Sequence, residues 1–281
     1  MAAATRTLTL AHSPDADDAF MFYALAHPEK TGLDTAGLRF QHVLADIQTL
    51  NEKALQSAYD VTAISFHAYA YLADRYRLLR CGSSFGDGYG PLLVAREPLR
   101  DIRGRCVAIP GKLTTANLLL QLYAPGVETV AFPFDRIPEA VRAGEVDVGL
   151  LIHEGQLTYG GAGLHAVADL GAWWKEQTGL PVPLGGNAVR RDLPLDLVNR
   201  IARILAASIR YALDHRQEAL DYALQFGRGM HRELGDKFVG MYVNQWTLDC
   251  GETGREAVQH LLDRAHTAKL IPQRVPVDLV G

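Results

Sequence analysis

Two stretches of this chain run through the same steps. ALQSAYDVTAIS (54–65) and AVRAGEVDVGLLI (140–152) each pass from a helical pattern through a small-residue turn and an Asp-Val pair into an apolar strand. A repeat of that kind restricts the fold, because each copy is one α/β unit feeding a buried strand into a sheet. The expectation is an α/β protein of two related lobes, each bringing a strand end to a shared ligand cleft. One strand end offers Ser65, with Phe66 and His67 behind it, and the other offers His153. The chain has 281 residues, 48% of them hydrophobic, which is enough for two cores.

Glu97-Pro98 interrupts the strand pattern, and Leu180 to Gly186 (LPVPLGG) is rich in Pro and Gly. These mark the expected crossovers. Lobe one then comprises residues 1–96 and 187–281, C-terminal helices included, and lobe two comprises residues 97–186. Such connectivity suits lobes that hinge shut around a small ligand and exclude water.

Several function classes are disfavoured. A formal charge of −4 comes without any basic stripe, so no nucleic-acid partner is expected. No apolar run approaches the ~20 residues needed to span a bilayer. The N-terminus, MAAATRTLTLAHSPD, lacks an apolar segment of signal-peptide length and reads as unprocessed. Cys81, Cys106 and Cys250 are odd in number and lack a Cys-x-x-Cys spacing, so they read as reduced packing residues of a cytoplasmic protein.

The segment LLIHEGQLTY (150–159) carries the strongest chemical signal. It ends the apolar run Val146 to Ile152 with a histidine, a glutamate and a glycine, as a buried strand does when it hands over to a functional loop. A histidine there takes and returns protons near neutral pH, which makes His153 the candidate catalytic base. The plain alternative is a histidine that ends a strand and bonds a nearby carbonyl.

Other candidates also follow strands. After the strand Thr7 to Ala11, Ser13 or Asp15 can cap a helix spanning Asp15 to Ala26, with Asp17 and Asp18 complementing its dipole. Alternatively SPDADD forms a lip of the cleft, and Asp15, Asp17 and Asp18 receive substrate hydroxyls. Pro110-Gly111-Lys112 turns a strand into a helix at Thr114 and Thr115, where amides and hydroxyls suit a carboxylate or phosphate. Thr114 is also a plain N-cap candidate. Glu154 bonds local backbone or orients a donor. Tyr159, Trp173 and Trp174 flank a flat ligand or pack the core.

HSPDADDAFMFYAL (12–25), ISFHAY (64–69), GYGPLLVAR (88–96), PGKLTTA (110–116) and LIHEGQLTY (151–159) keep one order along the chain. In these segments the sequence resembles the 1,4-dihydroxy-6-naphthoate synthases of the futalosine route to menaquinone. That resemblance implies the two-lobed type II periplasmic-binding-protein-like fold, used by a cytoplasmic enzyme. It implies a carbon-carbon lyase that converts cyclic dehypoxanthinylfutalosine to 1,4-dihydroxy-6-naphthoate, releasing a sugar-derived fragment and using no cofactor and no metal. The family's proposed base matches His153, its ligand-facing serine matches Ser65, and its threonine matches the Thr114-Thr115 pair, with Thr115 the preferred contact. The partner implied is a small carboxylate substrate.

Two other readings fit the same residues. A cytosolic binding protein without catalysis would return its ligand unchanged. The sister chorismate-dehydrating enzyme shares the fold, but the histidine of LIHEGQLTY argues against it. Ser-His-Asp hydrolysis lacks a G-x-S-x-G elbow, and the ten histidines include no H-E-x-x-H pair.

Overall fold

A computed structural model describes residues 6–281. Met1 to Thr5, the start of the stretch read as unprocessed, lie outside the described residues. In chain order the first strands are β1 (Arg6–His12), β2 (Leu38–Leu44), β3 (Val61–Ser65), β4 (Tyr76–Leu79), β5 (Ser84–Gly86) and β6 (Leu92–Ala95). They are followed by β7 (Cys106–Ile109), β8 (Glu128–Ala131), β9 (Val148–Leu151), β10 (His165–Asp169), β11 (Val182–Arg190) and β12 (Leu279–Val280).

These strands form two sheets. The first runs β12-β4-β11-β3-β1-β2, with β5 also pairing β11, and the second runs β10-β6-β9-β7-β8. In the first, β1 is parallel to β2 and β3, while β11 is antiparallel to β3. In the second, β7 is parallel to β8 and β9, while β6 is antiparallel to β9.

The repeat appears as equivalent parts of the two sheets. β3 and β9 each sit inside their sheet and each follows an Asp-Val pair. Asp60 accepts the backbone N–H of Thr9 at 2.8 Å, tying β3 to β1. Asp147 accepts that of Cys106 at 3.1 Å, tying β9 to β7. The helix Ile137–Ala143 lies so close to β9 that a Cβ at Gly149 would stand 2.6 Å from Ile137 Cγ2.

Strand pairing moves both expected crossovers. Leu92–Ala95, assigned to lobe one from sequence, hydrogen-bonds to β9 and β10 in the second sheet. The outward crossover is therefore the glycine-rich loop after Gly86, not Glu97-Pro98. Leu180 to Gly186, read as the return crossover, is mostly strand, and Gly185 already pairs with Ser65 of β3. Pro183 is tolerated because the pairing with β5 slips between Pro183 and Gly185. The two crossings touch: Val182 pairs with Gly86, and a Cβ on Gly90 would lie 3.2 Å from Val182 Cγ1. β10 (His165–Asp169) joins the edge of the second sheet beside β6.

The C-terminal helices finish lobe one. Leu195–Asp214 buries Val198, Ile201, Leu205 and Ile209, one stripe at helical spacing, in a core shared with Leu10, Phe20 and Val61. Trp174 is fully buried and Trp173 packs against Tyr123, so both tryptophans belong to packing. Cys81 and Cys250 are buried, Cys106 is half-buried, and all three are free thiols. Among the described residues no helix is long and apolar enough to cross a membrane.

Candidate active site

The carboxyl ends of β1, β3 and β9 meet at an open cleft between the sheets, whose concave wall suits a small-molecule ligand. Its wall includes Asp15, Asp17, Ser65, Thr114, Thr115 and His153, so all six sequence candidates converge. They come from both lobes.

His153 follows β9 by two residues and adopts φ 53°. A left-handed backbone is uncommon for a residue other than glycine, and such strain gathers at functional sites. The turn sends the imidazole across the cleft, where Nδ1 lies 3.3 Å from Asp15 Oδ2. The ring is largely enclosed and meets Phe134 edge-on at 5.0 Å. With Nδ1 committed to Asp15, Nε2 is the nitrogen left for a ligand.

Asp15 stands at the N-cap position of the helix Ala16–Met21, yet its side chain makes no cap bond. A capping Asp contributes about 1 kcal/mol, so here a local stabilisation is forgone. The buried carboxylate instead faces His153 through Oδ2 and accepts from Arg228 Nη2 through Oδ1 at 2.6 Å. The expected helix over Asp15 to Ala26 also breaks, turning at Phe22. Arg228 further donates to Glu154 Oε1 at 2.8 Å and lies 4.6 Å over the Phe134 ring. Glu154 is thus an ion-pair partner of Arg228, not merely a backbone ligand.

The hydroxyl donors are distributed unevenly. Ser65 Oγ accepts from Asn51 Nδ2 at 3.0 Å, and the Ser65 N–H donates to Asn51 Oδ1 at 2.9 Å. That reciprocal pair fixes the serine while leaving its O–H proton for a ligand. Thr114 is the N-cap of the helix Thr115–Tyr123, accepting from Asn117 N–H and donating to the Gly111 carbonyl. Thr115 Oγ1 donates to the Leu184 carbonyl at 2.5 Å and accepts from His67 N–H at 3.2 Å. Both partners lie in lobe one, so the Thr115 hydroxyl, on the cleft wall, also spans the lobes. What this turn offers a carboxylate is the pair of first-turn amides at Thr115 and Ala116, which precede the helix's own acceptors.

A substitution distinguishes these roles. Thr115→Val leaves the Leu184 carbonyl and the His67 N–H without their shared partner, at a cost of about 1–3 kcal/mol for each buried group. The expected outcome is a lower unfolding temperature together with a raised KM. A raised KM with unchanged thermal stability would point to direct ligand contact by the hydroxyl instead.

Three comparisons with known proteins bear on this geometry. A family model described as menaquinone biosynthesis matches residues 8–267. The chain belongs to this menaquinone biosynthesis family. It is 44% identical to the 1,4-dihydroxy-6-naphthoate synthase of Thermus thermophilus over 263 residues, covering 94% of this chain and 95% of the relative. It is 41% identical to the same-named protein of Streptomyces coelicolor over 276 residues, covering 96% of each. A crystal structure of an Archaeoglobus fulgidus protein superposes with a TM-score of 0.91 at 49% identity, covering 94% of this chain and 98% of that one. The alkanesulfonate-binding protein of Xanthomonas axonopodis superposes at 0.73 with 15% identity over 98% of both chains. At that identity the likeness concerns the fold, which is that of the periplasmic binding proteins.

In this menaquinone biosynthesis protein the aspartate loop is electrostatically costly. Burial first, and then the charge of Asp15, push Asp17 up to about 6, although His153 pulls the other way. Asp18 is driven well above the usual carboxylate range by burial and by Asp17 and Asp15, against a hydrogen bond from Ser13 N–H. Asp17 Oδ1 is buried with no hydrogen-bond partner among the described residues. A carboxyl raised in the folded state stabilises fully below its unfolded value near 3.8 and loses that contribution as pH rises through about 6. Asp17→Asn is therefore expected to stabilise the fold near pH 7 by about 3 kcal/mol, with no gain below pH ~4. Denaturant unfolding at the two pH values measures this, and an equal gain at both would contradict the titration account.

Asp15, Asp17 and His153 each bring one ligand-type atom within 4.8 Å of the others. The guanidinium of Arg228 already gives Asp15 a cationic partner. Arg228, Asn51 and Gln156 are the site residues that sequence reading missed. Gln156, oriented by its bonding network, donates to the Gly90 carbonyl at 2.6 Å and accepts from the Tyr242 hydroxyl at 3.1 Å. Arg228 sits between two glycines in Gly227-Arg228-Gly229, a break in a helical pattern, and that break was its one available signal.

Proposed function

We infer that this chain is a 1,4-dihydroxy-6-naphthoate synthase, a carbon-carbon lyase that acts on cyclic dehypoxanthinylfutalosine by base-triggered elimination. The observation that carries the catalytic assignment is the pairing of His153 from one lobe with Asp15 from the other at the cleft wall. The names of the two curated relatives support the product, and the sister dehydratase reading has no comparable support.

The chemistry asks little of the protein beyond position and polarity. Aromatisation of the ring supplies driving force, so the chain adds a base, donors for a carboxylate and a dry pocket. His153 accepts the proton at Nε2 while Asp15 holds the Nδ1–H edge and stabilises the imidazolium as it forms. Positioned proton transfer of this kind is worth roughly 10²–10⁴ in rate. Ser65 and the amides of Thr115 and Ala116 hold the substrate carboxylate without adding a buried charge. Closed lobes keep water away from the reacting carbon.

Incubation with cyclic dehypoxanthinylfutalosine, followed by naphthoate absorbance, tests the reading. Formation of the naphthoate is expected. A compound that binds and is recovered unchanged would make this chain a binding protein on the same fold.

A further inference from the structure

Arg228 carries an inference that rests on the assignment of His153 as the base. Its guanidinium is the cation seated among an unusual density of acids. Asp15 and Glu154 bond it directly at 2.6 and 2.8 Å, and Asp17 and Asp18 stand in the first turn of the helix that Asp15 precedes. Its backbone adopts φ 47°, a left-handed turn that brings the side chain over the Phe134 ring. Arg228 does not itself line the cleft but reaches its wall through Asp15, from a neighbouring cavity it shares with Phe134 and Glu154. It contacts Asp15 through Oδ1 while His153 faces Oδ2, so the two share one carboxylate.

We propose that Arg228 is a positioning residue that neutralises Asp15 through the carboxylate oxygen His153 does not use, and so keeps the His153 imidazole free to accept a proton from substrate. The electrostatic reasoning runs from the groups around the pair. His153 is faced by Asp15 and Asp17 from lobe one, by its neighbour Glu154, and by the uncharged ring of Phe134. His12, packed below the loop, is held neutral, down to about 4, by burial and by His42. Without a cation, an imidazole surrounded by carboxylates stays protonated to higher pH and cannot act as a base. Arg228 offsets that field and is always charged itself. Because Asp15 and His153 interact at 3.3 Å, the proton belongs to the pair. Removing a nearby positive charge makes the pair bind its proton more tightly, whichever member holds it.

Two substitutions separate charge from clamping. Arg228→Gln can still bond Asp15 and Glu154 but carries no charge, whereas Arg228→Lys keeps the charge and loses the planar fork. The readouts are the His153 ring resonance titrated by NMR on the full chain, assigned by its loss in His153→Asn, and the pH profile of kcat/KM. In Arg228→Gln the titration midpoint and the acid-side fall of kcat/KM are expected to move up by about one pH unit. Below both midpoints kcat/KM is then about tenfold lower than wild type. Arg228→Lys is expected to retain the wild-type midpoint. An unmoved midpoint in Arg228→Gln, or an equal shift in both variants, overturns the proposal. The NMR titration stands without turnover, so a wild-type protein that makes no naphthoate would sink the functional reading and leave Arg228 to be judged separately.

Discussion

His153→Asn lowers turnover of cyclic dehypoxanthinylfutalosine by a factor of about 10²–10⁴ while ligand affinity and fold stay near wild type. Asparagine is the informative replacement because His153 adopts φ 53°, and asparagine tolerates the left-handed region better than alanine does. A backbone shift in the loop is thereby kept out of the measurement. The ring lies at the cleft wall with its Nδ1 edge on Asp15, so its loss removes the proton acceptor and leaves the carboxylate donors untouched. Steady-state kinetics with circular dichroism as a folding control measures this. Turnover within a few-fold of wild type would remove His153 from the role of base.

Asp15→Asn is the second large effect, with kcat expected to fall by about 10²-fold and KM to change little. The carboxylate orients the imidazole and stabilises the imidazolium that proton transfer creates, and a neutral amide does neither well. The isosteric amide also strips Arg228 of one of its two anionic partners, while Glu154 remains at 2.8 Å. With the anion gone, the acid-side fall of kcat/KM moves to lower pH, opposite in sign to the shift from Arg228→Gln. A drop in kcat with an unmoved pH profile would assign Asp15 to packing, and an unchanged kcat would free His153 from any need for it.

Much of the fold was readable before any coordinates. The strand expected over Thr7 to Ala11 spans Arg6–His12, and the apolar run Val146 to Ile152 holds β9 at Val148–Leu151. Apolar runs of that length bounded by turn residues leave few alternatives. The misreadings cluster at the crossovers. Leu92–Ala95 is uniformly buried and reads as a strand in either sheet, and only its pairing with Leu151 to Val148 decides which one. Val182–Arg190 contains Pro183, Gly185 and Gly186, which locally argue against a strand, and its antiparallel partners on both sides override them.

The site divides along the same line. Residue type and position after a strand marked Ser65, Thr114, Thr115 and His153, because the ends of strands in such sheets face ligands. The inter-lobe bond of Thr115 could not be read, since nothing local tells a hydroxyl that it will meet Leu184, some seventy residues on, at 2.5 Å. Asp15 looked like a helix cap and is the partner of a histidine 138 positions later in the chain, and Arg228 followed another 75 positions after that histidine. The sequence by itself determined the α/β class, the two lobes and the histidine at the strand end, because hydrophobic period and turn chemistry act within a few residues. Only the tertiary structure decided what each charge does. A carboxylate's role depends on which cations and dipoles lie within a few ångströms, and those neighbours are chosen by how the lobes close.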